Sequence, residues 1–169
     1  NYKRLLDAKG RKFSFDADYF TNKENKSNAF DTRQTDLSDV LVHRLAANNF
    51  GNLNVENSSL RIDFEHPTTW AKISYGAKAS LTKTSSDVAF YNLTSGTPVL
   101  DDGQTDYFTY KESTQAFYAD IARDFGGKWQ TKFGLRYEMT QTEGLSESVG
   151  KKNKTNYGKL FPTVYLGYV

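Results

Sequence analysis

The sequence has no cysteine, no long hydrophobic run and almost no net charge. The absence of cysteine excludes disulfide scaffolds, thiolate metal sites and cysteine nucleophiles. The 22 basic and 20 acidic side chains are interspersed along the chain and leave a net charge of only +2. Binding to nucleic acid requires a clustered basic surface, so we expect no nucleic-acid partner. No segment is apolar enough to be a signal peptide or a membrane helix.

The chain is rich in aromatic residues, which make up 15% of its 169 residues. That content is too high for a disordered segment, and the length corresponds to one domain. The first residue is Asn1 rather than Met, and the chain ends at Val169 inside an apolar run. We therefore expect residues 1–169 to be a single domain segment, truncated at both ends.

Apolar and polar side chains alternate with a period of two along most of the chain, as in strands with one apolar face. The longest example, residues 128–139, places Trp129, Phe133 and Tyr137 on one face and Lys132 and Arg136 on the other. The same pattern recurs around residues 13–19, 60–64, 73–81, 117–121 and 160–169. The sequence predicts an all-β protein, an antiparallel up-and-down meander of about six strands. Only residues 37–47 have helical spacing, and they predict a short helix within a loop.

Two hairpins can be placed by requiring that apolar residues face each other across the strands. A three-residue loop at residues 125–127 pairs Phe117 with Leu135, and sets Tyr118 opposite the bare strand glycine Gly134. The same register makes Asp120 face Lys132. This hairpin therefore combines an apolar face with charge pairing.

A second hairpin follows from a four-residue loop at residues 67–70. It pairs Phe64 with Ile73 and makes Glu65 face Lys72. Two independent hairpins of this kind predict an antiparallel sheet.

Short and long connections alternate along the predicted meander. The short ones are residues 7–11, 67–70 and 125–127, and the long polar ones are residues 21–55, 84–106 and 143–157. In a meander, all short turns then lie at one end of the sheet and all long loops at the other. Outer-membrane barrels have this asymmetry, and strands of about ten residues fit their tilted crossing. The fold is therefore predicted to be a segment of a transmembrane β-barrel.

Several sequence motifs of the chain resemble one family. They are FTYKE at residues 108–112, AFYAD at 116–120, GKWQTKFGLRYEMT at 127–140 and YGKLFPTVYL at 157–166, preceded by LRIDFEHP at 60–67 and ISYGAKAS at 73–80. Together they resemble the barrel of TonB-dependent receptors, in particular the outer-membrane β-barrel family common in Bacteroidetes. The resemblance covers the chain from about residue 58 onward. It implies a fragment of a transporter barrel of about twenty-two strands. It also implies that the plug and the TonB-contacting segment lie outside this chain, and that substrates are siderophores, glycans or other large nutrients.

No group of residues in the sequence has the arrangement of a catalytic or metal site. His43 and His66 have no acidic or nucleophilic partner at an interpretable spacing, so both are expected to be structural. Asp101, Asp102 and Asp106 do not match a calcium-binding loop and are expected to form a solvated acidic loop. We predict no enzymatic activity, no catalytic residue, no metal and no cofactor.

The two faces of the predicted strands suggest different surroundings. The apolar face would contact lipid, with Trp129, Tyr137, Tyr75 and Tyr19 near the membrane interfaces. The charged face either lines a solute pathway or is simply solvated. Its members are Asp120, Asp124, Lys128, Lys132, Arg136 and Glu138.

These expectations combine into one function, nutrient import by part of an outer-membrane receptor. Its partners are outer-membrane lipid, an unknown nutrient, and the TonB complex through parts outside this chain. Loop residues are the candidates for ligand capture: Phe90, Tyr91, Asn92, Asp101, Asp102 and Tyr107. The alternative is a soluble β-sandwich or small barrel that binds a glycan or an apolar ligand. As an excised segment, the chain would have unpaired edge strands near Phe13 and Val164 and would self-associate through them.

Overall fold

The alternating segments form strands of one antiparallel sheet in the computed structural model, which describes residues 1–168. The strands are β1 (Tyr2–Leu5), β2 (Lys12–Thr35), β3 (Leu41–Pro67), β4 (Lys72–Asn92), β5 (Val99–Leu100), β6 (Asp106–Phe125), β7 (Trp129–Ser146) and β8 (Lys151–Tyr168). Their order in the sheet is β1-β2-β3-β4-β6-β7-β8, and the short β5 pairs with the end of β4. The predicted all-β antiparallel meander is confirmed, with six long strands and two short ones.

The three connections predicted as long loops are instead mostly strand. Strand β2 extends to Thr35 and β3 begins at Leu41, so residues 21–55 form a continuous hairpin. In residues 84–106, β4 extends to Asn92 and β5 adds two residues, so about half of that predicted loop is strand. In residues 143–157, β7 and β8 leave only a tight turn at residues 147–150. The six long strands contain 18 to 27 residues each. Polar residues on both faces had suggested loops, but backbone pairing holds these strands regardless of side-chain pattern.

The predicted helix at residues 37–47 is wrong. Its first part is a turn in which one oxygen of the Asp36 carboxylate accepts hydrogen bonds from the backbone N–H groups of Ser38 and Val40, at 2.8 and 2.9 Å. Asp39 adopts a positive φ of 60°, and β3 starts two residues later. The apolar spacing is therefore accommodated by a turn followed by a strand.

The hairpin between β6 and β7 has the predicted loop length at a different position. Its three-residue loop is residues 126–128, one residue later than expected, and both Gly126 and Gly127 adopt positive φ. Phe117 therefore lies opposite Tyr137 and not Leu135. The prediction was wrong by two residues, although a shift of two leaves each side chain on its predicted face.

The hairpin between β3 and β4 shows the same displacement. Its four-residue loop is residues 68–71, and the Thr68 hydroxyl donates a hydrogen bond of 2.7 Å to the Ala71 carbonyl. Pro67 remains in the strand, and Phe64 lies opposite Tyr75 instead of Ile73. Residues that we predicted to face each other become diagonal neighbours.

The sheet has no second layer among residues 1–168. The only buried apolar side chains there are those of Ala46, Ala47, Ala71 and Ala116. Its accessible surface is 12158 Å², against roughly 8,400 Å² for a globular protein of this mass. The alternative of a soluble sandwich or small closed barrel is therefore wrong. No helix in the described part of the chain is long and apolar enough to cross a membrane.

The edges of the sheet lie close to where they were predicted. Strand β8, which contains Val164, forms one edge. At the other edge, β1 pairs with Lys12–Phe15 and covers Phe13, which was expected to be an edge residue. The remainder of β2, residues 16–35, has a partner on one side only in the described chain.

Candidate functional site: the two faces of the sheet

Strand pairing places the apolar residues in rows on one side of the sheet, which we call the Phe64 face. One row contains Phe13, Phe64, Tyr75, Ala119, Leu135 and Pro162, and the next contains Phe15, Ile62, Ala77, Phe117, Tyr137 and Leu160. Large side chains in these rows are exposed, with Phe117 at 56% and Leu135 at 52%. On β4 the apolar rows run from Ile73 to Leu81, a length of about 26 Å along the strand. At the usual strand tilt of about 35–45° this gives roughly 20 Å of height, which is most of the apolar band of an outer-membrane barrel.

Aromatic residues mark the two ends of this apolar band. Trp129 and Tyr168 pack edge to face at one end, with ring centroids 4.9 Å apart. Tyr19 lies in the row of Leu81 at the other end. Tyr75 and Tyr137, both predicted as interfacial residues, lie inside the band. Tyr75 stacks on Phe64 with ring centroids 5.3 Å apart.

Between the Leu81 row and the β2–β3 turn, charged and apolar residues exchange faces. There the Phe64 face becomes charged, with Glu56, Lys83, Lys111, Glu143 and Lys154 in one row. Apolar residues move to the opposite side, which we call the Asp63 face: Phe20, Phe30, Leu53, Val55, Val88, Phe90, Phe108 and Tyr110. The reversal places one boundary of the lipid-exposed band at the Leu81 row.

On the membrane side of that boundary, the Asp63 face carries a network of hydrogen bonds and one cation–π contact that extends from β3 to β7. Arg61 donates to Asp63 at 2.6 Å, and the Tyr118 hydroxyl donates to the other Asp63 oxygen, also at 2.6 Å. Gly76 lies between Asp63 and Tyr118 in the same row. The guanidinium of Arg136 lies over the Tyr118 ring at 5.6 Å. Tyr118 therefore covers Gly76 and lies opposite Arg136, whereas the sequence had predicted that it would cover Gly134.

Ion pairs continue across the same face of the sheet. Lys132 pairs with Asp120 at 3.1 Å, and Lys72 pairs with Glu65 at 2.7 Å. Both were predicted as direct partners, and the register makes them diagonal neighbours. The side chains of Asp120 and Lys132 are 21% and 49% exposed, so water reaches the pair. A cavity of about 960 Å³ opens beside this network, next to Arg61, Lys78, Tyr118 and Asp120.

Beyond the band, two aromatic pairs lie on opposite faces of the same hairpins. Phe30 and Phe90 are on the Asp63 face with ring centroids 6.2 Å apart. Ala47, directly opposite Phe30, is completely buried. Phe50 and Tyr91 are on the Phe64 face, 6.0 Å apart and edge to face.

The six residues predicted to capture ligand do not form one cluster. Phe90 and Asn92 lie on the Asp63 face, whereas Tyr91 and Tyr107 lie on the Phe64 face. The remaining two are in the turn after β5. There the Asp101 carboxylate accepts hydrogen bonds from the Gly103 N–H and the Gln104 side chain, and Asp102 is exposed. Sequence reasoning missed Phe30, because residues 21–55 were assigned to a loop in which face could not be read.

The acidic residues considered for calcium have structural partners instead. No group of three potential ligands that could hold a metal ion occurs within residues 1–168. The Asp106 carboxylate accepts a hydrogen bond of 3.0 Å from the Ser148 N–H, which lowers the pKa of Asp106 and joins the β6 end to the β7–β8 turn. The Asp101 carboxylate accepts hydrogen bonds from residues of its own turn.

Residues 4–169 match the outer membrane protein beta-barrel family. The fold is similar to that of the ferric citrate transporter FecA in the unliganded form, with a TM-score of 0.56 and 12% sequence identity. That match covers 94% of this chain and 25% of the transporter, so the chain spans about a quarter of its length. No curated protein sequence matches the chain.

The family match extends over nearly the whole chain and agrees with the apolar band, the long antiparallel strands and the polar opposite face. The chain therefore belongs to the outer membrane protein beta-barrel family, and its location is the outer membrane.

Proposed function

We propose that this chain is part of the barrel wall of a non-enzymatic, TonB-dependent receptor, of the type common in Bacteroidetes, that imports a nutrient such as a siderophore or a glycan. The observation that carries the proposal is the charged, water-accessible network on the Asp63 face, centred on Asp63, Tyr118 and Arg136. In a barrel whose Phe64 face contacts lipid, the Asp63 face lines the interior. The similarity in fold to a ferric citrate transporter supports a barrel used for import.

The strands beyond the apolar band give the proposed receptor a surface for ligand capture. After Tyr19, strand β2 continues to Thr35, which is about 50 Å of extended chain. Long hairpins of this kind lie on the extracellular side of outer-membrane barrels. Their inward face carries the Phe30–Phe90 pair. We place ligand capture on this face, with Phe90 and Asn92 from the original candidates and Phe30 added.

The remaining candidates have different roles in this proposal. Tyr91 and Tyr107 are on the outward side of the hairpins, and Asp101 and Asp102 shape the turn after β5. The partner that energises import is the TonB complex, which acts through parts of the protein outside this chain. Wall residues such as Asp120 and Lys132 then contact hydrated solute without covalent chemistry.

Growth of a strain lacking the gene tests import. We would compare it with the parent strain on a panel of iron chelates and glycans, each supplied as the limiting nutrient. We expect a growth defect on one class, and we expect a protonophore to stop uptake of that class in the parent strain. Normal growth of the deletion strain on every nutrient would refute the proposal.

Two matched double variants then test the capture surface. Phe30→Ala/Phe90→Ala removes the aromatic pair on the Asp63 face, and Phe50→Ala/Tyr91→Ala removes the pair on the Phe64 face of the same hairpins. Each contact between a ligand ring and an aromatic side chain contributes about 0.5–1.5 kcal/mol beyond its buried area. The first variant loses two such contacts and should weaken ligand binding roughly tenfold, whereas the second should leave it unchanged. Equal effects of the two variants would contradict the assignment.

A further inference from the structure

Two lysines face each other across neighbouring strands just beyond the apolar band. Lys83 on β4 lies directly opposite Lys111 on β6, on the Phe64 face. The next row toward the membrane contains Leu81 opposite Ser113. Like charges directly opposite each other destabilise a sheet. Strand pairing therefore does not explain why two lysines lie opposite each other here.

Neither lysine is neutralised by a neighbouring carboxylate. Within residues 1–168, Lys83 and Lys111 form no ion pair, although Glu56 and Glu143 flank them in the same row. Glu143 instead pairs with Lys152 and Lys154, at 2.7 and 2.8 Å. Glu56 accepts a hydrogen bond from the side chain of Asn54.

The surroundings of the two lysines are amphipathic. A groove of about 660 Å³ is lined on the membrane side by Tyr19 and Leu81. On the other side it is lined by Lys83, Lys111 and Lys154, together with Glu56 and Glu143. Tyr19 and Leu81 are 68% and 61% exposed. Apolar surface thus adjoins cationic surface at the boundary of the bilayer.

The two rows beyond the boundary are also basic overall. On this face they contain five lysines and two glutamates: Lys23, Lys83, Lys111, Lys152 and Lys154, with Glu56 and Glu143. The Phe64 face contacts lipid. A lipid molecule beside these two rows therefore has its headgroup level with the lysines and its acyl chains beside Leu81.

We propose that Lys83 and Lys111 bind the phosphate of an anionic lipid in the leaflet next to the long hairpins. The two ammonium groups donate hydrogen bonds to phosphate oxygens, which offsets their mutual repulsion. Tyr19 and Leu81 contact the start of the acyl chains. The site rests on the outer-membrane location of the chain and not on the proposed import function.

Lipid binding by the intact protein, purified in a neutral detergent, tests this site. Native mass spectrometry would measure the affinity for phosphatidic acid, whose headgroup is a phosphate monoester, and for zwitterionic phosphatidylcholine. The variants are Lys83→Gln/Lys111→Gln and, as a matched control, Lys78→Gln/Lys159→Gln, which removes two lysines from the Asp63 face. Heat-modifiable mobility on gels verifies that every variant is folded.

We expect the intact protein to prefer phosphatidic acid, and the Lys83→Gln/Lys111→Gln variant to bind it roughly 25-fold more weakly, about fivefold per lysine. Binding of phosphatidylcholine and the behaviour of the control variant should not change. An equal loss in the control variant, or unchanged affinity in the test variant, would overturn the proposal. Displacement of the lipid by inorganic phosphate alone would also overturn it, because the ligand would then be a soluble anion.

Discussion

Tyr118 and Asp63 are joined across an intervening strand by a hydrogen bond of 2.6 Å from the tyrosine hydroxyl to a carboxylate oxygen. The two residues belong to β6 and β3, with Gly76 of β4 directly between them. The contact is possible because glycine has no side chain that would separate the ring from the carboxylate. An aromatic ring that covers a strand glycine in this way also fixes the pairing register.

Replacement of Gly76 by alanine should destabilise the sheet. A Cβ atom there would lie 2.5 Å from the Ile62 carbonyl oxygen and 2.8 Å from both the Asp63 carboxylate and the Tyr118 ring. We expect Gly76→Ala to lower the free energy of unfolding by about 1–3 kcal/mol, as for other overpacked positions. Urea unfolding of the intact protein in detergent micelles, followed by tryptophan fluorescence, measures this change.

Gly51→Ala is the matched control for that substitution. Gly51 is also a strand glycine, but a Cβ atom there would meet nothing within 4 Å. Alanine at such a position reduces the freedom of the unfolded chain and should be neutral or slightly stabilising. Similar losses for both variants would show that the close approach at Gly76 is not the cause.

The network around Tyr118 also illustrates what the sequence could and could not predict. Alternation places Tyr118, Asp63 and Arg136 on one face, and the structure has them there. The choice between Gly76 and Gly134 as the covered glycine depends on register. A shift of two residues preserves every face, so alternation alone cannot detect it.

The lengths of the strands could not be predicted from the sequence, because their polar ends resemble loops. Apart from Ala29 and Phe30, residues 21–35 carry polar side chains on both faces, so the reversed pattern of the neighbouring strands is not visible in this segment. Without a difference between the faces, the period of two disappears from the sequence. For the same reason, the sequence did not predict the capture surface proposed around Phe30. The strongly alternating segments, in contrast, predicted the membrane-facing rows and carried the family resemblance.

The Asp120–Lys132 pair should contribute little to stability. Both side chains are partly exposed, and water screens their attraction. In a double-mutant cycle with Asp120→Asn and Lys132→Gln, we expect a coupling energy below about 1 kcal/mol. Unfolding of the two single variants and the double variant in micelles provides the cycle. A coupling well above this value would mean that the Asp63 face is dry, which would argue against a solute pathway along it.

The pKa of the Glu143 carboxylate should rise when Lys152 and Lys154 are replaced. Hydrogen bonds from Lys152 and Lys154 lower the pKa of Glu143 from 4.5 to about 2. Because the pKa in the folded state is the lower one, the stabilisation is complete above about pH 4.5 and is lost as the pH falls toward 2. In Lys152→Gln/Lys154→Gln we expect the Glu143 pKa to return toward 4.5. Carbon-13 NMR of labelled glutamate side chains measures it directly.

A charge-matched variant separates the direct contact from a general change in net charge. Lys9→Gln/Lys128→Gln removes two lysines at the opposite end of the sheet, neither of which forms an ion pair in the described chain. It should leave the Glu143 titration unchanged. A comparable rise of the pKa in this control would mean that long-range charge, and not the hairpin contact, holds it low.

Residues 1–169 produced alone should self-associate. Strand β8 is paired on one side only, and beyond Phe15 the same holds for β2 in the described chain. Val164 on β8 is 70% exposed, so an unpaired backbone edge coincides with apolar surface. Exposed edges of this kind pair with other chains, and Pro162 interrupts the β8 edge at a single position only. In buffer we expect large assemblies by sedimentation velocity.

Detergent covers the apolar face but not the backbone edges, so dimers should persist in micelles. A stable monomer without detergent would mean that the two edges close on each other within a single chain.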